Sequence, residues 1–309
     1  FNPLKFLNAI SNEIRIFERT RAISVEDEKI KTGGGTVKAK NIVFACHYPF
    51  INVPGYYFMR MHQERSYVIA LENAFKPDGM YYGIDNDGLS FRRYGDLLLM
   101  GGENHRTGEN TCGGRYNNLR KAASELFPMS RETAHWSAQD CIPIDGVPYI
   151  GKFSSSEPNW YVATGFQKWG MTSSMVSAMI ISELISGGKC EFSEVFSPQR
   201  FKLSPSAKNV ITDGVQSVKG LARRILEVPE DKHEGILRGH GGIVELDGHK
   251  TGIYKDFDGK IFAVSVKCPH LGCQLEWNPD ELSWDCPCHG SRFDYKGNLL
   301  DGPAQTTIT

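Results

Sequence analysis

Two short segments near the C-terminal end, Cys268-Pro269-His270-Leu271-Gly272-Cys273 and Cys286-Pro287-Cys288-His289-Gly290-Ser291, constrain this chain more than any other feature of it. Each offers a Cys–His pair at short spacing, Cys268 with His270 and Cys286 with His289, so the fold has to bring two loops together round one centre. Thiolate sulfur paired with imidazole nitrogen suits zinc or an iron–sulfur cluster. Each segment also carries a further cysteine, Cys273 or Cys288, placed where a disulfide could join the two loops above the centre. A structural zinc site has no use for such a bridge.

These six residues together resemble the Rieske 2Fe-2S family, in which one iron is held by two Cys and the other by two His. The resemblance implies Cys268 and Cys286 as thiolate ligands, His270 and His289 as imidazole ligands, and a disulfide between Cys273 and Cys288. Neutral histidines leave less negative charge on the cluster and lift its potential to roughly −150 to +300 mV, well above a four-Cys ferredoxin. In respiratory-type members a Ser and a Tyr hydroxyl, two positions apart, donate to cluster or ligand sulfur. Here Ser291 is present, but the second position is Phe293. The missing donor implies a potential below that of two-donor members. Both histidines are expected near the surface, where electrons enter and leave.

A chain of 309 residues is long for one domain and comfortable for two. Its net charge of −1 provides no electrostatic footprint for nucleic acid or an anionic membrane, which leaves small molecules and proteins as partners. The other four cysteines, Cys46, Cys112, Cys141 and Cys190, have no metal-type spacing and read as small apolar side chains. They make no secreted disulfide framework, so a cytoplasmic setting is expected, with one protected disulfide as the exception. The longest apolar run, residues 171–185, contains four serines and Glu183. It is too short and too polar to span a bilayer and reads as a buried helix; no transmembrane segment is expected.

Apolar spacing predicts a helix within residues 1–16, with Asn2 as N-cap and Pro3 in the first turn. Residues 41–45 form a continuous apolar run, expected as a strand buried on both faces of a parallel sheet. Strand-like runs at 67–71, 80–84, 89–94 and 96–100, separated by Gly- and Asp-containing turns, predict an antiparallel sheet. A helix over 117–127 follows, then a strand at 160–163 leading to a helix near Gly170. A Ser-, Pro- and Lys-containing stretch marks a linker over 191–219, and residues 220–309 read as a small all-β domain.

Within residues 1–190, three segments occur in order: Asn41-Ile42-Val43-Phe44-Ala45-Cys46-His47-Tyr48-Pro49, then Cys141-Ile142-Pro143-Ile144-Asp145-Gly146-Val147-Pro148-Tyr149-Ile150-Gly151, then Ala163-Thr164-Gly165-Phe166-Gln167-Lys168-Trp169-Gly170-Met171-Thr172. Together they resemble the C-terminal part of the FAD-dependent oxidoreductases of the D-amino-acid and glycine oxidase family. The implied fold is α/β with mixed sheets, one of them an antiparallel substrate-side sheet. The implied flavin contacts are Ala45, Cys46, Gly165, Phe166, Gln167, Lys168, Trp169, Gly170, Met171 and Thr172. A helix N-terminus presents unpaired N–H groups and partial positive charge where a reduced flavin is negative. Taken singly, each segment is also a strand and turn of any α/β enzyme; Asp145 reads equally as a turn residue and Lys168 as a solvated side chain.

Tyr67, Arg92 and Arg93 fall on the expected substrate-side sheet, and residues 101–105 follow one of its strands. A lone His or Arg on a strand is usually structural, and no catalytic base is assigned. The dinucleotide fingerprint G-x-G-x-x-G is absent: Gly239-His240-Gly241 is followed by Val244 where the third glycine belongs. The expectation is a C-terminal part of a longer flavoprotein that binds FAD weakly or not at all by itself and is inactive alone.

The pairing implies an oxidoreductase that takes electrons from a small organic substrate, an amine or amino acid, through FAD and a Rieske cluster to a one-electron acceptor, protein or quinone. One alternative is a Rieske electron-transfer module on a non-catalytic scaffold, against which retained cofactor-contact geometry around Ala45 and 165–172 would argue. Another is a Rieske oxygenase, which needs a second iron held by two His and a carboxylate after the cluster. No His follows His289.

Overall fold

The computed structural model of the protein describes residues 1–85, 88–200 and 235–309. Residues 201–219 of the expected linker, and 220–234 after it, lie outside the described residues. Helix α1 (Pro3–Ser11) begins where the Asn2 side chain accepts a hydrogen bond from Lys5 N–H (3.2 Å), with Pro3 at a position whose missing N–H is no loss. A three-stranded meander follows, β1 (Ala22–Glu26), β2 (Lys29–Thr32) and β3 (Gly35–Lys38), and then β4 (Ile42–Phe44). The chain continues through β5 (Met61–Glu72), β6 (Tyr81–Tyr82), β7 (Ser90–Tyr94), β8 (Leu97–Arg106), α2 (Arg115–Leu126) and β9 (Arg131–Pro143). Next come β10 (Tyr149–Ser154), β11 (Glu157–Thr164), α3 (Gly170–Ser186) and the single turn α4 (Ser193–Phe196). The last segment is all β: β12 (His240–Leu246), β13 (His249–Lys255), β14 (Ile261–Ser265), β15 (Glu276–Asn278), β16 (Ser283–Asp285), β17 (Arg292–Asp294) and β18 (Leu299–Asp301).

These elements gather into two compact units, one from residues 1–60 and 143–200, the other from 61–142 and 235–309. In the first, β4 pairs in parallel with β11, and β11 with β10 antiparallel. The side chains of β4 alternate, Ile42 and Phe44 buried and Val43 43% exposed, so this strand is buried on one face and not on both. Helix α3 corrects a second expectation. Only Ser177, Ile180 and Ile181 are buried, a stripe packed on Ile150, Tyr161 and Ala163, while Met175 and Met179 are more than half exposed. Gly187, at φ +78°, ends the helix in the left-handed region that glycine enters freely.

In the second unit the sheet order is β6-β7-β8-β5-β9, antiparallel at every pairing of β6, β7, β8 and β5. Residues 101–105 lie inside β8 and do not follow it. Along β5, Gln63, Arg65, Tyr67, Ile69 and Leu71 are buried on one face, with His62, Glu64, Ser66 and Val68 half-buried on the other. The Tyr67–Leu71 end is covered by Tyr116, Leu119 and Ala123 of α2, with Leu98 and Met100 beside them. Leu119 is 1% exposed, and full burial of such a side chain contributes about 1.5–3 kcal/mol. The all-β segment forms a three-stranded sheet, β12-β13-β14, and a four-stranded sheet, β15-β16-β17-β18, closed over Leu275, Trp277, Trp284 and Phe293. No helix among the described residues is long and apolar enough to cross a membrane.

Candidate functional site

The two Cys- and His-bearing loops have the same construction. The first lies between β14 and β15, the second between β16 and β17. In the first, Cys268 N–H donates to Cys273 O (2.8 Å) and Gly272 N–H to Cys268 O (2.9 Å); in the second, Cys286 N–H donates to Ser291 O (2.8 Å) and Gly290 N–H to Cys286 O (2.9 Å). Gly272 (φ +81°) and Gly290 (φ +80°) make the sharp reversal in each. So tight a turn aims the intervening N–H groups inward. His270 and Leu271 donate backbone N–H bonds to the Cys268 sulfur, and Cys288 and His289 to the Cys286 sulfur. Bonds of this kind favour the thiolate.

Cys268 and Cys286 are 1% and 0% exposed and hydrogen-bonded to each other. The Cys286 thiol draws Cys268 down to about 7, and the same bond, with burial, pushes Cys286 up. Burial brings the His270 imidazole down to about 4, so it is neutral at physiological pH, the form that binds metal. The His270 and His289 rings sit 4.9 Å apart between centroids at 89°, and the Nδ1 atom of each is enclosed by protein. Cys273 and Cys288 are joined in a disulfide with their Cα atoms 6.7 Å apart. With those sulfurs used, the donors left at the centre are two thiols and two imidazoles. That set fits a Rieske 2Fe-2S cluster and, by its chemistry alone, would also suit zinc.

Ser291, fully buried, donates to the Cys268 sulfur and accepts from Ala304 N–H (3.0 Å). Phe293, also fully buried, packs in the core with Trp277 and Trp284. The expectation that both histidines lie near the surface holds for His270, which is half-buried, and fails for His289, which is 4% exposed. The cause is the antiparallel sheet of the same unit. Gln63 Nε2 donates to His289 O (2.6 Å) and Gly302 O (3.0 Å), and Gln139 Nε2 to Gly290 O (2.8 Å). Arg106 donates from Nε to Pro287 O (3.1 Å) and from Nη2 to Cys288 O (3.3 Å). None of these sheet residues was identifiable from its local sequence.

Behind the second loop lies a charge network centred on buried Arg292, Asp285 and Arg65. Arg292 bonds Asp285 (3.0 Å), Asp301 (3.1 Å), Glu281 (3.4 Å) and Ser283 Oγ (3.1 Å), and Arg65 approaches Glu281 (3.3 Å) and Asp301 (3.8 Å). Tyr67 also falls within this polar interior. It is fully buried, its hydroxyl lies 3.1 Å from His105 Nε2, and Asn110 Nδ2 is 3.2 Å from Tyr67 Oη and 3.1 Å from Asn278 Oδ1. Burial pushes the Tyr67 hydroxyl up to about 12. Tyr67 lies on the antiparallel sheet, as its sequence position implies, with its side chain enclosed in the interior.

In the other compact unit, the parallel pairing of β4 and β11 sets Ala45 and Cys46 beside the turn that begins at Gly165 (φ +75°), and Thr164 Oγ1 donates to His47 O (2.8 Å). Gln167, itself at φ +50°, donates to Gly146 O (2.6 Å), which ties this turn to the 143–151 segment. Lys168, Trp169 and Gly170 are exposed, and no side chain caps the N-terminus of α3. Asp145 is a structural anchor: Arg200 grips its two carboxylate oxygens at 2.8 and 2.9 Å and donates to Pro148 O and Phe196 O as well. Burial alone would raise the Asp145 carboxyl, but Arg200 and the Val147 N–H hold it below the ordinary range. The C-terminal ends of a parallel strand pair, opening on a helix N-terminus, are where α/β folds bind cofactors.

The family model for FAD dependent oxidoreductases matches residues 1–184, and that for the Rieske [2Fe-2S] domain matches residues 228–309. The Rieske 2Fe-2S iron–sulfur protein YhfW of Bacillus subtilis is 37% identical over 98% of the chain and 63% of its own length, so the chain spans under two thirds of that relative. The cytochrome b6-f complex iron–sulfur subunit 2 of Trichormus variabilis is 41% identical over 68 residues, 21% of the chain and 38% of the subunit. Among solved structures, glycine oxidase from Geobacillus kaustophilus shares the fold over 60% of the chain and 53% of its own length (19% identity, TM-score 0.52). L-proline dehydrogenase from P. horikoshii does so over 63% and 57% (17% identity, TM-score 0.52).

Proposed function

Because the chain belongs to the FAD dependent oxidoreductase family and carries a Rieske [2Fe-2S] domain, we propose that it oxidises a small amine or amino acid and delivers the electrons singly to an outside acceptor, a protein or a quinone. When bound, FAD supplies two-electron oxidation and the 2Fe-2S cluster one-electron exchange. Cys268 and Cys286 would hold one iron as thiolates, and His270 and His289 the other as neutral imidazoles. The Cys273–Cys288 disulfide ties the two ligand loops, and Ser291 donates to sulfur from within the core. Ala45, Cys46 and residues 165–172 would border the flavin, and the N-terminus of α3, which no side chain caps, would favour negative charge there. Asp145 and Gln167 keep that turn in place through Arg200 and Gly146.

The observation that carries this reading is the pair of matched loops, each directing two backbone N–H groups onto a buried ligand sulfur. Retained strand-end and helix-start geometry at 45–46 and 165–172 supports an oxidoreductase over an electron-transfer module on an inert scaffold. A cytoplasmic location is part of the same proposal. An anaerobic screen of amines and amino acids against the holoprotein tests it: a substrate should bleach the flavin first and then bring up the cluster's EPR signal. If no member of the panel bleaches the flavin while the cluster reduces normally with dithionite, the catalytic reading is wrong.

Phe293 bears on the potential. Its ring lies in a closed core, opposite Trp284 across β16 and β17, so a hydroxyl added there is shielded from water. Phe293→Tyr is expected to raise the midpoint potential by about 40–90 mV, the equivalent of roughly 1–2 kcal/mol of added hydrogen bonding to the reduced centre. Voltammetry that shows no movement, or a fall, would refute the donor argument.

A further inference from the structure

We propose that Arg106, on the antiparallel sheet, raises the reduction potential of the cluster by polarising the two peptide groups that donate to the Cys286 sulfur. The peptide linking residues 287 and 288 carries both Pro287 O, which accepts from Arg106 Nε, and Cys288 N–H, which donates to Cys286. The next peptide carries Cys288 O, which accepts from Arg106 Nη2, and His289 N–H, which also donates to Cys286. One guanidinium therefore pulls on the far ends of both N–H···S donors. Hydrogen bonds in series strengthen one another, and a cationic donor at the head of the series is stronger than a neutral one. Reduction adds negative charge to the cluster, so polarised donors at sulfur stabilise the reduced form more than the oxidised form.

The local backbone is built for this contact. Arg106 sits at the end of β8, opposite Glu64, and Thr107 N–H donates to Gln63 O (3.0 Å). Gly108 follows at φ +84°, and a Cβ there would lie 2.6 Å from Pro287 Cα. Only glycine lets the ligand loop come down onto this corner of the sheet. Gln63 and Gln139 take the next two carbonyls, of His289 and Gly290, so four successive carbonyls of the loop face sheet donors. Arg106 is thus a tuning and positioning residue that reaches the cluster from the oxidoreductase part of the sequence. The inference rests on the reading of Cys286 as a cluster ligand.

The test is an EPR-monitored redox titration of the holoprotein carrying Arg106→Met or Arg106→Lys, in which each centre takes one electron from dithionite and no bond is made or broken. At a fixed ambient potential, Arg106→Met should lower the ratio of reduced to oxidised cluster about tenfold, which is 59 mV for a one-electron couple. Arg106→Lys, which keeps the charge and loses the two-pronged donor, should fall between the variant and the natural protein. An unshifted or raised potential in Arg106→Met, with full iron content and a normal EPR line shape, would overturn the proposal. If Arg106→Met loses its cluster, Arg106→Lys decides: a potential at or above that of the natural protein overturns it. Failure of the underlying ligand reading shows separately, as a Cys286→Ser protein that keeps an unaltered cluster spectrum.

Discussion

Gly290→Ala is expected to empty the metal centre. Two penalties fall on that one methyl group. Gly290 adopts φ +80°, where an L side chain costs roughly 1–2 kcal/mol. A Cβ there would also lie 2.6 Å from Gln63 Cβ and 2.7 Å from Gln63 Nε2. Gln63 has little freedom to yield, since its amide already donates to His289 O and Gly302 O and accepts from Gln139 (2.8 Å). Overpacking of this kind adds roughly 1–3 kcal/mol, so the total is about 2–5 kcal/mol, concentrated on the loop that carries Cys286 and His289. Iron content and visible absorbance after purification measure the effect. Gly114→Ala separates strain from clash, because Gly114 has a similar φ (+89°) with nothing within 4 Å of its would-be Cβ. It should lose only the strain part and keep its cluster. A Gly290→Ala protein with full iron and an unchanged melting temperature would contradict the account.

The contrast between these two glycines also marks what could be read from the sequence. The Cys–His pairs proposed as ligands and the bridging cysteines could be picked out because their chemistry is packed into two contiguous segments. The 67–71 end of β5 and strands β6 to β8 were legible as short runs between turn residues, and α1 from Asn2 and Pro3, while residues 61–66 of β5 and all of β9 were not read as strand. What failed was any inference that needed to know what lies on the far side of an element. Residues 171–185 read as a buried helix, yet only a stripe of α3 is buried; Val43 reads as core and is exposed. His289 reads as a surface ligand and is covered, because Gln63, Arg106 and Gln139 come from strands far away in sequence. Their side chains are polar residues at ordinary strand positions, and nothing local to them signals that their partners are carbonyls of a metal-binding loop. Only residues 67–71 of β5 were read as a strand, so its buried face was not seen to carry Gln63 and Arg65 at the other end.

Arg292→Met is expected to lower the melting temperature of the cluster-bearing unit by roughly 10 °C, the equivalent of about 3–5 kcal/mol, because it strands a carboxylate. Asp285 and Arg292 are direct partners across β16 and β17, at the neck of the loop that runs from Cys286 to Ser291. Asp285 is 0% exposed, and its Oδ1 accepts from Arg292 Nε (3.0 Å) and Ser283 Oγ (2.8 Å), while Oδ2 accepts from Asn278 (2.9 Å). Burial alone would draw the Arg292 guanidinium down, but Asp285, Asp301 and Glu281 hold it above its ordinary range, so its charge is permanent. Methionine fills much of the volume and supplies none of the donors. Asp285 would then keep two neutral hydrogen bonds and no counter-charge in a site closed to water, which is the arrangement that makes a broken buried pair costly. The double variant Arg292→Met with Asp285→Asn removes the stranded charge and should recover part of the loss, a coupling of more than 1 kcal/mol in a double-mutant cycle. Additive losses would show that the pair acts independently. Because the pair closes the loop's neck, the melting transition of Arg292→Met should coincide with bleaching of the cluster, whereas a cluster that survives the transition would place the pair's role elsewhere in the fold.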